Sequence, residues 1–280
     1  MRLPVLMVDA NAPRLSEGRD GWYPGLTSNA ISHFRQVFTL DESAAKAWAK
    51  AGAEPGQIVV SGRMEQASAA LPYNESDRLA LTHLLATRPI WLAADVAETE
   101  EDSVIAAHRD VLRLAHRLLL ILVPQTPDRA EGLAARIEAA TDWRVALRSR
   151  DQEPDTETEV YIPDAAEYGL WYRLAPVTFL GSSLSGQGCA RNPMEPAALG
   201  SAIIYGPRPG PFGLAYGRLG AARAARMVGS DGDLGQALSD LLSPDRAARQ
   251  AQSAWAIASE GGEVTEQILG LIRDLVDEAT

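Results

Sequence analysis

The segment Gly181-Ser-Ser-Leu-Ser-Gly-Gln-Gly-Cys-Ala-Arg-Asn-Pro-Met-Glu-Pro-Ala-Ala-Leu-Gly200 follows the apolar run Val177 to Leu180. Gly181, Gly186 and Gly188 let the backbone turn tightly and expose N–H groups. Asn192, Pro193 and Glu195 read as a cap, a first-turn proline and a first-turn acid of a helix. Free N–H groups at a positive helix end suit a phosphate or carboxylate. The same pattern also serves as a capping motif with no ligand. Three further segments follow apolar runs. In Gly206-Pro-Arg-Pro-Gly210, Arg208 either faces an anion or decorates a stiff surface loop. Pro124 and Gln125 close the run Leu118 to Val123. Asp95 to Glu101 holds Glu98, Glu100 and Glu101, which read as helix N-terminal acids rather than catalysts.

Several chemistries are excluded by the same residues. Gly181-Ser-Ser-Leu approaches the Gly-x-Ser-x-Gly elbow of serine hydrolases, but its fifth position is Ser185 and no histidine occurs after His116. The run Ile90 to Ala94 is followed by Asp95-Val-Ala-Glu-Thr-Glu-Glu, without the glycines of a dinucleotide fingerprint. The four histidines (His33, His83, His108 and His116) match no metal-ligand spacing and read as surface or half-buried residues. The single cysteine, Cys189, allows neither a disulfide framework nor a cysteine-rich zinc site. No metal and no cofactor are implied.

These segments are positioned by a repeating pattern of short apolar runs, each followed by an amphipathic stretch, the mark of parallel strands with crossover helices. Strands are predicted at Leu3 to Val8, Val37 to Leu40, Ile58 to Ser61, Ile90 to Ala94, Leu118 to Val123, Arg144 to Leu147, Val160 to Ile162, Val177 to Leu180, Ala202 to Tyr205 and near Met227. Helices are predicted at Ala44 to Ala51 and Glu101 to Leu114. In open parallel sheets ligands bind outside the carboxyl ends of the strands, where all four segments lie. The fold class is α/β, with one complete Rossmann-like parallel-sheet domain and an incomplete second α/β domain. Residues 1–71 form the incomplete one, 72–260 the complete one, and 261–280 a final helix set off by Glu260-Gly261-Gly262. With only about three strands, the first part is expected to leave Leu3, Val5, Met7 and Val37 without neighbours.

The 280 residues are 46% apolar and 22% charged, with a net charge of -11. No segment is basic, so no nucleic-acid partner is expected. The run Leu118 to Pro124 is too short to span a bilayer, and the start MRLPVLMVDANAP lacks a signal-peptide core. A cytoplasmic protein is expected.

Taken together, Trp91-Leu-Ala-Ala, Glu100-Glu101, Ala107-His108-Arg109, Leu118 to Pro124, Gly181-x-Ser-Leu184, Asn192-Pro-Met-Glu-Pro-Ala-Ala-Leu-Gly200 and Gly206-Pro207 with Phe212 resemble the second half of 3-deoxy-D-manno-octulosonic acid (Kdo) transferases. Upstream, Asn11-Ala-Pro-Arg-Leu-Ser16 is similar to the family's Asn-Ala-Arg-Leu-Ser. The resemblance implies a two-domain GT-B glycosyltransferase. Such an enzyme moves Kdo from CMP-Kdo to a lipid A precursor at the cytoplasmic face of the inner membrane. It further implies that residues 72–260 bind the donor through Gly181, Ser183, Gly188, Arg191, Asn192, Glu195, Arg208, Pro124 and Gln125, with Glu195 on the ribose hydroxyls. No metal takes part. The deprotonating carboxylate and the peripheral membrane contact belong to the first half of the family's N-terminal domain, which is expected to have no counterpart before Met1. Of the acids in 1–71, Asp9 and Glu17 are the ones expected near the cleft. The chain is expected to be a fragment or truncated paralogue that does not transfer Kdo alone.

Three family motifs depart. Ser-Thr-His is Asp95-Val96-Ala97 here, Pro-Arg-His is Pro124-Gln125-Thr126, and Gly-Gly-His-Asn is Gly188-Cys-Ala-Arg191-Asn192. Arg191 and Arg208 restore positive charge, or the donor differs. The alternatives are a non-catalytic nucleotide-sugar-binding relative and a UDP-sugar epimerase, against which the lack of histidine after His116 counts.

Overall fold

The computed structural model describes residues 4–13, 26–61, 71–163 and 167–278. Leu3, Arg14 to Ser16, Glu17, Asp20 and Glu65 lie outside the described residues. The chain forms two compact units, Met1–Ala67 with Ser259–Thr280, and Ser68–Ala258.

The first unit is a parallel sheet in the order β1 (Val5–Ala10), β2 (Phe34–Thr39), β3 (Ile58–Val60), with α1 (Leu26–Ile31) and α2 (Glu42–Lys50) between them. Asp41 starts α2 by accepting the Ala44 N–H at 2.7 Å. Val37, expected to lack neighbours, is instead fully buried with Ile31, Trp48 and Ala53, because β2 is the middle strand. Val5, on the edge strand, is 47% exposed.

The second unit runs α3 (Glu75–Leu85), β4 (Ile90–Val96), α4 (Glu101–Leu112), β5 (Leu119–Pro124), α5 (Ala130–Ala140), β6 (Arg144–Leu147), β7 (Thr158–Ile162), α6 (Tyr168–Leu174), β8 (Val177–Leu180), α7 (Met194–Ala198), β9 (Ala202–Tyr205), α8 (Gly213–Ala221), β10 (Ala225–Met227) and α9 (Asp231–Leu241). All seven strands are parallel, in the order β10-β9-β8-β4-β5-β7-β6. Side chains alternate between two cores because successive residues of a strand point to opposite faces. Trp91, Ala93, Leu120 and Leu122 pack on one side with Val104, Val111, Leu133 and Leu234, while Leu92, Ala94, Leu119 and Ile121 pack on the other with Trp171, Tyr216 and Leu219. Hence the strands read as unbroken apolar runs.

The last helix differs from expectation. Glu260-Gly261-Gly262 does not separate it, and α10 runs uninterrupted from Pro244 to Glu278. Two glycines cost a helix about 1 kcal/mol each. Burial of Ala247, Ala251 and Ala254 before them, and of Val264 and Ile268 after them, outweighs that cost. Among the described residues no helix is long and apolar enough to cross a membrane.

His33, His83 and His116 are exposed, but His108 is fully buried, contrary to the surface or half-buried expectation. One helical turn beyond Val104, it faces the sheet, and its Nδ1 accepts the Trp91 Nε1–H at 3.1 Å. Burial pushes its pKa down to about 3. The folded protein therefore holds it neutral while the unfolded chain protonates near 6.5, so stability falls as pH drops below 6.5 towards 3. The expected loss from this group between pH 6.5 and 5.5 is about 1 kcal/mol. Urea unfolding of wild type and His108→Phe should diverge in pH slope by that amount, and parallel slopes would refute it.

Candidate functional site

From β4 the sheet grows to β5, β7 and β6 on one side and to β8, β9 and β10 on the other. The carboxyl ends of β4 and β8 thus meet at the switch in winding direction, where an open parallel sheet leaves a crevice. Asp95 closes β4 there in a left-handed conformation with φ 56°, beside a register irregularity between Ala93 and Val96. Opposite it, the Gly181 N–H donates to the Ala94 carbonyl at 2.7 Å. The Ser182 hydroxyl lies 2.9 Å from the Asp95 carbonyl oxygen and 3.3 Å from its Oδ2, and 3.0 Å from the Gln125 Nε2 donor. Burial holds the Asp95 carboxyl above the usual range, opposed by the Ser182 hydroxyl and the charge of Arg191.

The loop after β8 is closed by its own chain. Gly188, at φ 116°, donates its N–H to the Ser182 carbonyl at 2.8 Å, a turn that a side chain at 188 would strain. Its N–H groups are not free as the sequence led one to expect. The Glu100 carboxylate accepts from the backbone of Ser182 at 2.5 Å, Leu184 at 2.6 Å, Ser185 at 2.8 Å and Gly186 at 3.2 Å. Ser183, expected to face a ligand, is fully buried. Its hydroxyl donates to the Leu180 carbonyl and accepts the Gly206 N–H at 2.7 Å, so it joins the turns after β8 and β9. Arg208 also serves the loop, its Nη1 donating to the carbonyls of Ser185 at 2.9 Å and Gly186 at 2.6 Å.

Beyond the loop stands a cationic and aromatic group. The Arg191 guanidinium lies 4.0 Å over the Tyr168 ring and donates through Nη2 to Glu195 Oε2 at 2.5 Å. Tyr172 OH is 3.5 Å from the same oxygen. Among the described residues both hydrogen bonds to this carboxylate end on Oε2. Burial pushes the Glu195 carboxyl up, against the pull of Arg191. Asn192 Oδ1 accepts the Met194 N–H at 3.0 Å, which begins α7, although that helix has only 5 residues. Pro124 lines a separate cavity of about 280 Å³ with Pro127, Arg148, Ile162, Pro163 and Glu167, at the carboxyl ends of β5, β6 and β7. Arg148 is held there by Asp77 at 3.1 Å and Glu167 at 2.7 Å.

The structure thus gathers Gly181, Ser183, Gly188 and Arg208 as loop architecture, and Arg191, Asn192 and Glu195 as a cluster beside it. Asp95, Glu100, Tyr168 and Tyr172 complete the site and were not singled out as ligand contacts. Position after a strand was the available signal for Asp95, and Tyr168 and Tyr172 carried none. Among the described residues no cluster of three His, Cys, Asp or Glu side chains is arranged for a metal ion.

No protein-family model matches the chain. The 3-deoxy-D-manno-octulosonic acid transferase of Haemophilus influenzae is 24% identical over 284 residues, covering 98% of this chain and 65% of the relative. That of Bordetella pertussis is 26% identical over 285 residues, covering 97% and 64%. The chain therefore spans just under two thirds of the length of these relatives. Among solved structures, the C-terminal CMP-Kdo binding domain of WaaA from Acinetobacter baumannii matches with a TM-score of 0.55 at 22% identity, covering 68% of this chain and 96% of that one. Anabaena HepE in complex with UDP-glucose matches with a TM-score of 0.51 at 13% identity, covering 97% and 72%. The chain is accordingly a homologue of the 3-deoxy-D-manno-octulosonic acid transferases and has the fold of a GT-B glycosyltransferase.

Proposed function

We propose that the unit 68–258 binds CMP-Kdo at the β4–β8 crevice for transfer of Kdo to a lipid A precursor. In this reading residues 1–67 belong to the acceptor-side domain, which brings the reaction to the cytoplasmic face of the inner membrane. The observation that carries it is the alignment with Kdo transferases along 97–98% of the chain. The crevice supports it with the cation of Arg191 beside Glu195 and Asn192.

Bond making joins the acceptor oxygen to the anomeric carbon of Kdo. The bond from that carbon to the phosphate oxygen breaks, and CMP leaves with the electron pair. The acceptor proton passes to a carboxylate that the family supplies from its acceptor-side domain. Arg191 stabilises the charge growing on the phosphate in a site already turned towards it, the largest kind of catalytic effect that fixed charges supply. Glu195 Oε1 accepts from the ribose hydroxyls.

Calorimetry with CMP, UMP and UDP tests the donor. CMP is expected to bind at least tenfold more tightly than UMP or UDP, and equal or absent binding of all three would remove the assignment. Preference for UDP would instead favour the divergent nucleotide-sugar-binding or epimerase reading. Transfer of Kdo from CMP-Kdo to lipid A precursor by the protein tests the reaction.

A further inference from the structure

Glu100 lies in the 3-10 turn Glu98–Glu100 and is the residue immediately before α4. An acid there ordinarily serves the first N–H groups of its own helix. This one does not, for its side chain makes no capping bond to α4. It is fully buried, and its hydrogen bonds run to the loop after β8 instead. Oε1 accepts from Leu184, Ser185 and Gly186, and Oε2 from Ser182. Its neighbours are occupied differently. Glu98 is 69% exposed and pairs with Arg129, while buried Glu101 is met by Arg129 and Arg136. Among the described residues no arginine or lysine pairs with Glu100, so backbone N–H groups alone answer its charge. Four N–H groups converging on one carboxylate form the kind of concavity that otherwise holds an anion. Ser182, held by the Oε2 bond, has φ 57°, a conformation a serine rarely keeps without support.

We propose that Glu100 is the loop's resident anion and a positioning residue for the donor. It fills the N–H cradle of residues 182–186, locks Ser182 in its left-handed turn, and leaves the donor's phosphate to be received outside that cradle, on the Arg191 side. The proposal rests on the reading of this loop as a donor-site element. A second phosphate would find no free amide among these four and would meet a carboxylate beneath them, which favours a donor with a single phosphate.

Hydrogen exchange at the amides of 182–186 and calorimetry with CMP, on wild type, Glu98→Gln and Glu100→Gln, test it. Glutamine keeps the shape but turns an N–H₂ towards either Ser182 or the other three N–H groups. Exchange at these amides is expected to rise at least tenfold in Glu100→Gln, and CMP affinity to fall at least tenfold, with both unchanged in Glu98→Gln. Should Glu100→Gln not fold, Glu100→Ala with added formate replaces it, and formate rather than chloride should restore protection and affinity. Unchanged exchange in a folded Glu100 variant, or faster exchange with undiminished CMP affinity, would overturn the proposal. Absence of CMP binding in wild type would sink the donor reading alone, because the exchange data judge the cradle without any donor.

Discussion

Gly206→Ala is expected to lower the unfolding free energy by about 1–3 kcal/mol, the usual cost of overpacking, and to abolish measurable CMP binding. A Cβ at this position would stand 2.3 Å from the Ser183 carbonyl oxygen, 2.4 Å from the Leu184 Cα and 2.5 Å from the Leu184 nitrogen. All three are backbone atoms, so no side chain can rotate away. Relief requires the turn after β9 to separate from the loop after β8. That separation breaks the Gly206 N–H bond to Ser183 and the bond from the Arg208 N–H to the Ser183 carbonyl, 2.8 Å long. Gly213, at the start of α8, has nothing within 4 Å of its added Cβ and is the matched control. Gly213→Ala should be neutral or stabilising by a few tenths of a kcal/mol. Urea midpoints and CMP titrations of the two variants decide the matter. A Gly206→Ala protein with wild-type stability and affinity would mean that the loop is not held in this way.

Glu195→Gln should weaken CMP binding by about 1.5–3 kcal/mol, roughly ten- to a hundredfold, the value of a hydrogen bond to a charged acceptor. Its effect on folding should be smaller, because the carboxylate is already desolvated and its protein partners, Arg191 and Tyr172, lie on one oxygen. The pH dependence has a defined sign. Burial raises this carboxyl above its ordinary 4.5. The charged acceptor is therefore lost at a higher pH than for an exposed glutamate, and wild-type affinity should fall relative to Glu195→Gln as pH is lowered towards and through that raised value. Comparing the two proteins at each pH removes the titration of the nucleotide's own phosphate. A constant ratio of affinities across the range would show that Glu195 does not face the ligand, and lowered melting temperature with unchanged affinity would assign it to packing.

Most of the larger sheet was legible because strands buried on both faces admit apolar residues almost without interruption. Arg144 to Leu147, Val177 to Leu180 and Ala202 to Tyr205 were read with the bounds the structure gives them. The place of the candidate site's segments was legible for a related reason. Once the strands alternate with helices, their carboxyl ends are the open edge, and the segments after β4, β5, β8 and β9 must lie there. Local helix propensity points to a break at Gly261-Gly262, and the side chains that α10 buries on either side of it overrule that propensity.

Glu98, Glu100 and Glu101 mark the limit. In sequence they are equivalent acids at a helix start, and by itself the sequence determined that they follow a strand at the open edge of the sheet. The tertiary structure alone decided that one is exposed, one is neutralised by two arginines, and one turns into the loop after β8 to accept its N–H groups. Arg208 and Ser183 follow the same rule. Their types suggested contact with a ligand, and the fold spends them on the loop's own carbonyls and N–H groups. The physical reason is that pattern and propensity specify backbone path and which face is apolar, both local properties. Which polar atom answers which depends on distances between segments more than 80 residues apart, as with Glu100 and Ser182, and these are set when the strands pack.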